Sequence, residues 1–135
     1  MVDIPRHMIP KPPLPPPPRD VTGKVKSTNK DLHVVGAKDD AEKPQLRLVI
    51  DSFAHALWQV GRVGTFGAHK YTEDGWVHVE NGIQRYTNAM YRHLLLEAMG
   101  EEDDKESELM HSAHTAWNAL ARLELQLRQR MQNQK

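Results

Sequence analysis

The chain has 135 residues, no cysteine, and 18 basic residues against 18 acidic ones, with eight histidines besides. That length allows one domain of ordinary size, and the missing cysteines exclude disulfides, a thiolate nucleophile and a cysteine-based zinc site. Balanced charge argues against wrapping a nucleic acid polymer, and no apolar run is long enough to cross a bilayer.

The first residues, MVDIPRHMIPKPPL, lack the apolar core of a secretory signal. With the cysteine-free composition, this is compatible with a reducing cytoplasm. Eight of the nine prolines fall in the first 18 residues. Lys11 to Arg19 therefore cannot be helical and has few backbone donors. It is expected to be an extended polyproline arm or an unstructured tail. Such an arm can dock an aromatic groove or wrap a neighbouring subunit; the plainer reading is a solvated tail. Residues 1–40 form this proline-rich and polar arm, with Leu32 to Val35 as a short extended piece. Residues 41–130 form the folded domain, and 131–135 a tail.

From Gln45 the apolar residues recur at steps of three and four: Leu46, Val49, Ile50, Phe53, Leu57, Val60, Val63 and Phe66. This spacing predicts a first helix that ends between Gly67 and Tyr71. Gly61, Gly64 and Gly67 suggest a stripe of close backbone approach. Thr72 to Gly75 reads as a turn centred on Asp74-Gly75, with Trp76 packing back on the core. A second helix is expected from about Glu80 to Met99, with Gly100 as its C-cap. A third should start near Glu106 or Ser107, with serine as N-cap, and carry Leu109, Ala113, Ala116, Trp117, Leu120, Leu123 and Leu127. The fold class is all-α: a small helical bundle completed by oligomerisation, as a homodimer or homotetramer, because three helices make a small core.

Chemistry concentrates between Arg85 and Asn118. Glu101, Glu102, Asp103, Asp104 and Glu106 lie within six positions. So many like charges repel unless cations neutralise them, and oxygens from two or more acids can hold Mg²⁺ or Mn²⁺. An acidic run by itself is more often a solvated loop. Here Arg85 and Arg92 lie two turns apart on the preceding helix, and arginine suits bidentate phosphate contact. His111 and His114 form H-x-x-H, a weak zinc pattern. One of them can orient a carboxylate or water, with the other a packed, hydrogen-bonded histidine. Asn118 lies four beyond His114. At the end of the first helix, Lys70 can reach a phosphate, and Tyr71 or Trp76 can stack a base or simply pack.

Taken together, these motifs form an ordered set: K-P-Q-L at Lys43 to Leu46, F-G-A-x-K-Y at Phe66 to Tyr71, Trp76, R-Y at Arg85-Tyr86, and R-H-L at Arg92 to Leu94. G-E-x-x-D-x-E-S at Gly100 to Ser107 and H-x-x-H-x-x-W-N at His111 to Asn118 complete it. The set resembles the phage and bacterial dATP/dGTP diphosphohydrolase family, a relative of the MazG-type nucleotide pyrophosphohydrolases, over about Lys38 to Gln126. The chain departs from the pattern where Glu108 replaces a frequent glycine and Asn88 a frequent aspartate. The E-E-x-x-E signature of MazG proteins is not visible in the first helix. The resemblance implies an all-α, Mg²⁺- or Mn²⁺-dependent enzyme converting a deoxynucleoside triphosphate to the monophosphate and pyrophosphate. dGTP is the favoured substrate and dATP a possible one. The role implied is remodelling of nucleotide pools for phage DNA containing 2-aminoadenine, in the host cytoplasm if the chain is phage-encoded.

On that reading Glu101, Asp104 and Glu106 hold the cations that bridge the triphosphate oxygens. Arg85, Arg92 and Lys70 neutralise charge, Tyr71, Trp76 and Asn118 complete the substrate site, and His93 or His111 orients the water or acts as general base. Two alternatives differ in class. One is a non-catalytic helical adaptor that docks a partner through its proline arm. The other is a zinc hydrolase built on His93, His111 and an acid.

Overall fold

The computed structural model describes residues 31–135. Most of the proline-rich arm expected over residues 1–40 lies outside them. The chain divides into two units, Met1–Gln45 and Leu46–Lys135. In the first, the described residues make turns where an extended piece was expected. Asp31 Oδ1 accepts the His33 N–H at 2.9 Å, and Ala37 N–H closes a turn onto the Val34 carbonyl at 2.9 Å. Gly36, at φ +83°, supplies the left-handed position that this turn requires.

The second unit is helical: α1 (Arg47–Ile50), α2 (Ala54–Lys70), a 3-10 turn (Gly75–His78), α3 (Gly82–Ala98) and α4 (His111–Asn133). Among the described residues there is no strand, only one isolated bridge between Asp103 and Met110. None of these helices is long and apolar enough to cross a membrane. The single first helix expected from Gln45 is broken, because Phe53 leaves helical dihedrals (φ −119°, ψ 26°). Asp51 and Ser52 sit at the break, and their short polar side chains compete with the backbone for hydrogen bonds.

α4 is the shared wall. α3 runs antiparallel to it: the start of α3 at Gly82 lies against Leu125, and its end at Glu97 meets Ser112. α2 packs on another side, with Gly64 against Trp117 and Phe66 edge-on to His114. A Cβ at Gly64 would meet Trp117 Nε1 at 3.3 Å, whereas one at Gly61 or Gly67 would meet nothing within 4 Å. The glycine stripe is therefore a single point of close approach.

The core is small. Among the described residues Val63, Leu109, Ala113 and Ala121 are the buried apolar side chains, and each large one contributes about 1.5–3 kcal/mol. Phe66 and Trp117 pack against them. Trp117, Trp76 and Tyr86 form mutual edge-to-face pairs with centroids 5.7 to 6.4 Å apart. The Tyr86 hydroxyl donates to the Trp76 carbonyl at 2.8 Å, which fixes the 3-10 turn to α3. Burial of Tyr86 pushes its phenol above the usual value. Much of the predicted apolar stripe stays exposed: Leu46, Val49, Ile50 and Phe53 before α2, and Leu120 and Leu123 on α4.

Two helix ends set the geometry of the loop between α3 and α4. Gly100, at φ +96°, closes α3 as expected: its N–H reaches the Glu97 carbonyl and the Glu101 N–H the Leu96 carbonyl, both at 3.0 Å. This pair of bonds satisfies the orphan carbonyls and turns the chain sharply. α4 starts at His111, not near Ser107. The intervening residues instead close a tight loop, with Asp104 N–H on the Leu109 carbonyl (2.8 Å) and His111 N–H on the Glu102 carbonyl (3.0 Å). Ser107 is spent inside that loop and caps nothing.

Glu108 sits in this loop at φ +59°, a left-handed conformation that costs a non-glycine residue about 1–2 kcal/mol. This is the position where the sequence departs from a frequent glycine. Glu108→Gly should therefore raise stability by about 0.5–1 kcal/mol, after the added freedom of the unfolded chain is subtracted. A thermal melt showing no gain, or a loss, would count against this account of the loop.

Candidate metal centre

The last turns of α3, the closed loop and the first turn of α4 bring three ligand-type side chains to one point. His93, Asp104 and His111 each offer one ligand atom, and those atoms lie within 4.8 Å of one another. His93 Nδ1 and His111 Nδ1 face each other at 2.8 Å.

Each of the three is held from behind. His111 is fully buried, and its Nε2 meets Glu101 Oε1 at 3.1 Å. A carboxylate can only accept, so His111 Nε2 carries a proton, and the facing Nδ1 atoms of His93 and His111 then share one proton between them, which a bound cation would replace. Carboxylate–histidine pairs orient metal ligands in this way. The same bond holds the Glu101 carboxyl below the usual carboxylate range. Asp104 Oδ2 accepts from the Ser107 N–H and from Ser107 Oγ, both at 2.9 Å. Ser107 Oγ in turn accepts from His114 Nε2 at 2.6 Å. Burial alone would raise the Asp104 carboxyl; the two Ser107 bonds, with His114 and His93 nearby, overcome it and hold the carboxyl below its usual value. His93 stacks on His114 with centroids 4.4 Å apart and planes 10° from parallel.

Burial, followed by the neighbouring His114 and His111, pushes His93 down to about 4. Burial likewise lowers His114, against the pull of Asp104. A neutral His93 imidazole and an ionised Asp104 carboxylate are states a metal ion needs, so with His111 beside them the donor set fits a divalent cation. Two nitrogens and one oxygen suit Mn²⁺, Zn²⁺ or Fe²⁺ better than Mg²⁺, which prefers an all-oxygen shell.

The protonation states also predict a pH dependence. The His93 value in the folded chain lies below the ordinary value of about 6.5, so the unfolded chain takes up the proton first as pH falls. The stability from neutral His93 is complete above pH 6.5 and is lost between there and about pH 4. Glu101 and Asp104, both depressed, add losses of the same sign at lower pH. Melts of the metal-free protein should fall through this window, and a flat melting temperature from pH 7 to 4 would contradict the cluster.

Sequence reasoning expected Glu101, Asp104 and Glu106 as the metal set. The structure groups them differently. Asp104 is in the cluster, Glu101 stands behind His111, and Glu106 turns away to pair with Lys70 at 2.5 Å. Through that pair, Glu106 raises the Lys70 ammonium above its ordinary value. The cause is the polarity of the loop: once Asp104 points inward to Ser107, a residue two positions on is exposed on the far side. Tyr71 is exposed beside Lys70, whose Nζ lies 5.1 Å from the ring centroid. Trp76 belongs to the aromatic core, with Arg128 over it at 5.7 Å. Arg85 and Arg92 are exposed and make none of the ion pairs found among the described residues. Asn118 is buried, and its amide donates to the His114 carbonyl at 2.8 Å, one turn back on α4. Ser107 and His114, which tie Asp104 to His93, were missed as site residues. The H-x-x-H spacing was the signal for His114, since it places His111 and His114 on neighbouring positions of α4; nothing comparable marked Ser107.

Residues 34–135 match the family model described as dATP/dGTP diphosphohydrolase, N-terminal. The chain belongs to this family. No curated protein and no solved structure matches it. The matched span takes in all four helices and every residue of the cluster, so the centre lies inside the family's domain and outside the proline-rich arm.

Proposed function

We propose that this member of the dATP/dGTP diphosphohydrolase family hydrolyses a purine deoxynucleoside triphosphate to the monophosphate and pyrophosphate with a divalent cation held by His93, Asp104 and His111. The observation that carries the reading is the convergence of these three side chains, each braced by Glu101, Ser107 or His114. A divalent cation there supplies charge to phosphate oxygens and acidifies water. The chain's own residues do the rest. Glu101 fixes the tautomer of His111, Ser107 keeps Asp104 ionised and oriented, and His114 sets the plane of His93. Lys70, held next to the loop through Glu106, supplies a lysine charge for the leaving pyrophosphate. Arg85 and Arg92, exposed on α3, serve as further phosphate contacts. dGTP is the favoured substrate, with dATP second; the role is that of a nucleotide-pool enzyme.

The deciding assay is simple. With Mn²⁺, then Mg²⁺ or Zn²⁺, the protein should release pyrophosphate from dGTP or dATP, and no orthophosphate. If none of these cations supports release from either nucleotide, the reading fails. Metal analysis after dialysis separates the zinc version, because zinc in such a site survives dialysis.

The assembly we propose is a homodimer or homotetramer. A ninety-residue helical unit with so few buried apolar side chains is marginal, and Ile50, Phe53, Trp58, Leu94, Leu95 and Met99 are all exposed. Large exposed apolar side chains in this number suit a surface that another copy covers. Sedimentation should give at least a dimer at micromolar concentration; a monomer there would contradict the assignment.

A further inference from the structure

Arg62, Thr65, Phe66 and His69 follow one another along a single stripe of α2. Together with Ser107 and Leu109 they line an open cleft of about 320 Å³. The floor is apolar, since Phe66 and Leu109 belong to the packed core. The ends are polar: Arg62 and His69 are exposed and stand two helical turns apart, about 10 Å. The cleft and the metal centre share a wall. Ser107 lines the cleft while its Oγ bonds Asp104 Oδ2 and His114 Nε2. Phe66, on the floor, meets the His114 ring edge-on with centroids 6.5 Å apart.

Building on the hydrolase reading, the geometry points to this cleft as the seat of the purine base, with Arg62 selecting guanine over adenine. A nucleotide with its phosphates at the metal centre would have this cleft within reach of its base, because Ser107 both lines the cleft and bonds Asp104. A flat, largely apolar ring gains from a floor of Phe66 and Leu109; a polyphosphate gains nothing from it. Arg62 presents a fork of N–H donors and no acceptor. Guanine offers that fork two acceptors, O6 and N7, whereas adenine places an amino donor where O6 would be. Gln59 Oε1, one turn back on the same helix, accepts from Arg62 Nη1 at 3.2 Å and steadies the guanidinium. The Thr65 hydroxyl donates to the Gly61 carbonyl at 2.9 Å, so its remaining capacity at the rim is that of an acceptor. An acceptor there suits the N1 and N2 protons of guanine.

The test uses binding, which needs no turnover. dGMP, dAMP and pyrophosphate are titrated separately into the metal-free full chain, followed by calorimetry and by amide shifts of ¹⁵N-labelled protein. dGMP should bind about tenfold or more tightly than dAMP and should move the Thr65, Phe66 and Leu109 amides; pyrophosphate should leave them in place. Arg62→Ala, an exposed change that removes one bond to Gln59, should bring the two affinities together. Equal affinities in the native chain, an unchanged preference in Arg62→Ala, no binding of either monophosphate, or pyrophosphate shifts at Phe66 would each overturn the assignment. The two readings fail separately. A protein that releases pyrophosphate but keeps its base preference in Arg62→Ala loses the base cleft and retains the hydrolase. One that binds dGMP through Arg62 but releases no pyrophosphate does the reverse.

Discussion

Asp104→Asn is expected to lower pyrophosphate release by about a thousandfold or more, a loss of about 4 kcal/mol of transition-state stabilisation, while leaving the melting temperature within a few degrees. The substitution keeps the shape of the side chain. An amide oxygen can still accept from the Ser107 N–H and hydroxyl, which now reach Asp104 Oδ2 at 2.9 Å. What it removes is the one negative charge among the three clustered ligands. Without it the centre is left with two imidazoles and no anionic ligand, which would hold a divalent cation far more weakly. Steady-state kinetics alongside a melt separate the two effects. Near-native turnover in a folded Asp104→Asn protein would remove Asp104 from the site.

The second large effect is at Glu101, which touches no substrate on this account. Its carboxylate holds His111 through Nε2 at 3.1 Å, and Lys105 holds the carboxylate from outside at 3.4 Å. Glu101→Gln leaves a group that can present either an oxygen or an NH₂ to His111, so the correct tautomer is no longer enforced. Metal affinity should fall about 10–100-fold. At saturating metal most of the turnover should return. A merely structural glutamate would give the opposite pattern, with loss of stability and no recovery on adding metal. Activity that stays low at saturating metal would instead make Glu101 a ligand itself.

The comparison of these two acids shows what the sequence could and could not reveal. The density of carboxylates after α3 pointed to the stretch that holds Asp104 of the candidate cluster, and Gly100 marked where α3 had to end. The side each acid faces was not legible. That depends on the closed loop, in which Asp104 N–H and His111 N–H pair across to Leu109 and Glu102, and no periodicity announces such a pairing. Ser107 misled for the same reason. Serine before an apolar run reads as an N-cap, but here its hydroxyl is taken by Asp104 and His114. The all-α class and the two long helices after Glu80 were plain from spacing, because their stripes are long. The first helix was overextended, since Asp51 and Ser52 break a pattern that the apolar residues alone continue. Trp76 illustrates a choice the sequence left open, and its partners Tyr86 and Trp117 draw it into the core.

The exposed apolar residues follow from the same arrangement. A chain that spends His111, His114 and Asn118 on buried polar positions has less apolar surface to bury internally. Polar groups in the interior require partners, and the cluster gives them partners, but a core built this way stays small. The proposed centre between α3 and α4 and the proposed self-association would then have one origin, a small apolar core.

The most direct test of the whole account is calorimetric titration of Mn²⁺ into the metal-free full chain and into His93→Ala, Asp104→Asn and His111→Asn variants whose melts show them folded. The account predicts one site per chain in the native protein, weakened at least about tenfold in each variant. Equal Mn²⁺ affinity in all four proteins would contradict it, and the centre between α3 and α4 would then be a hydrogen-bonded packing cluster and nothing more.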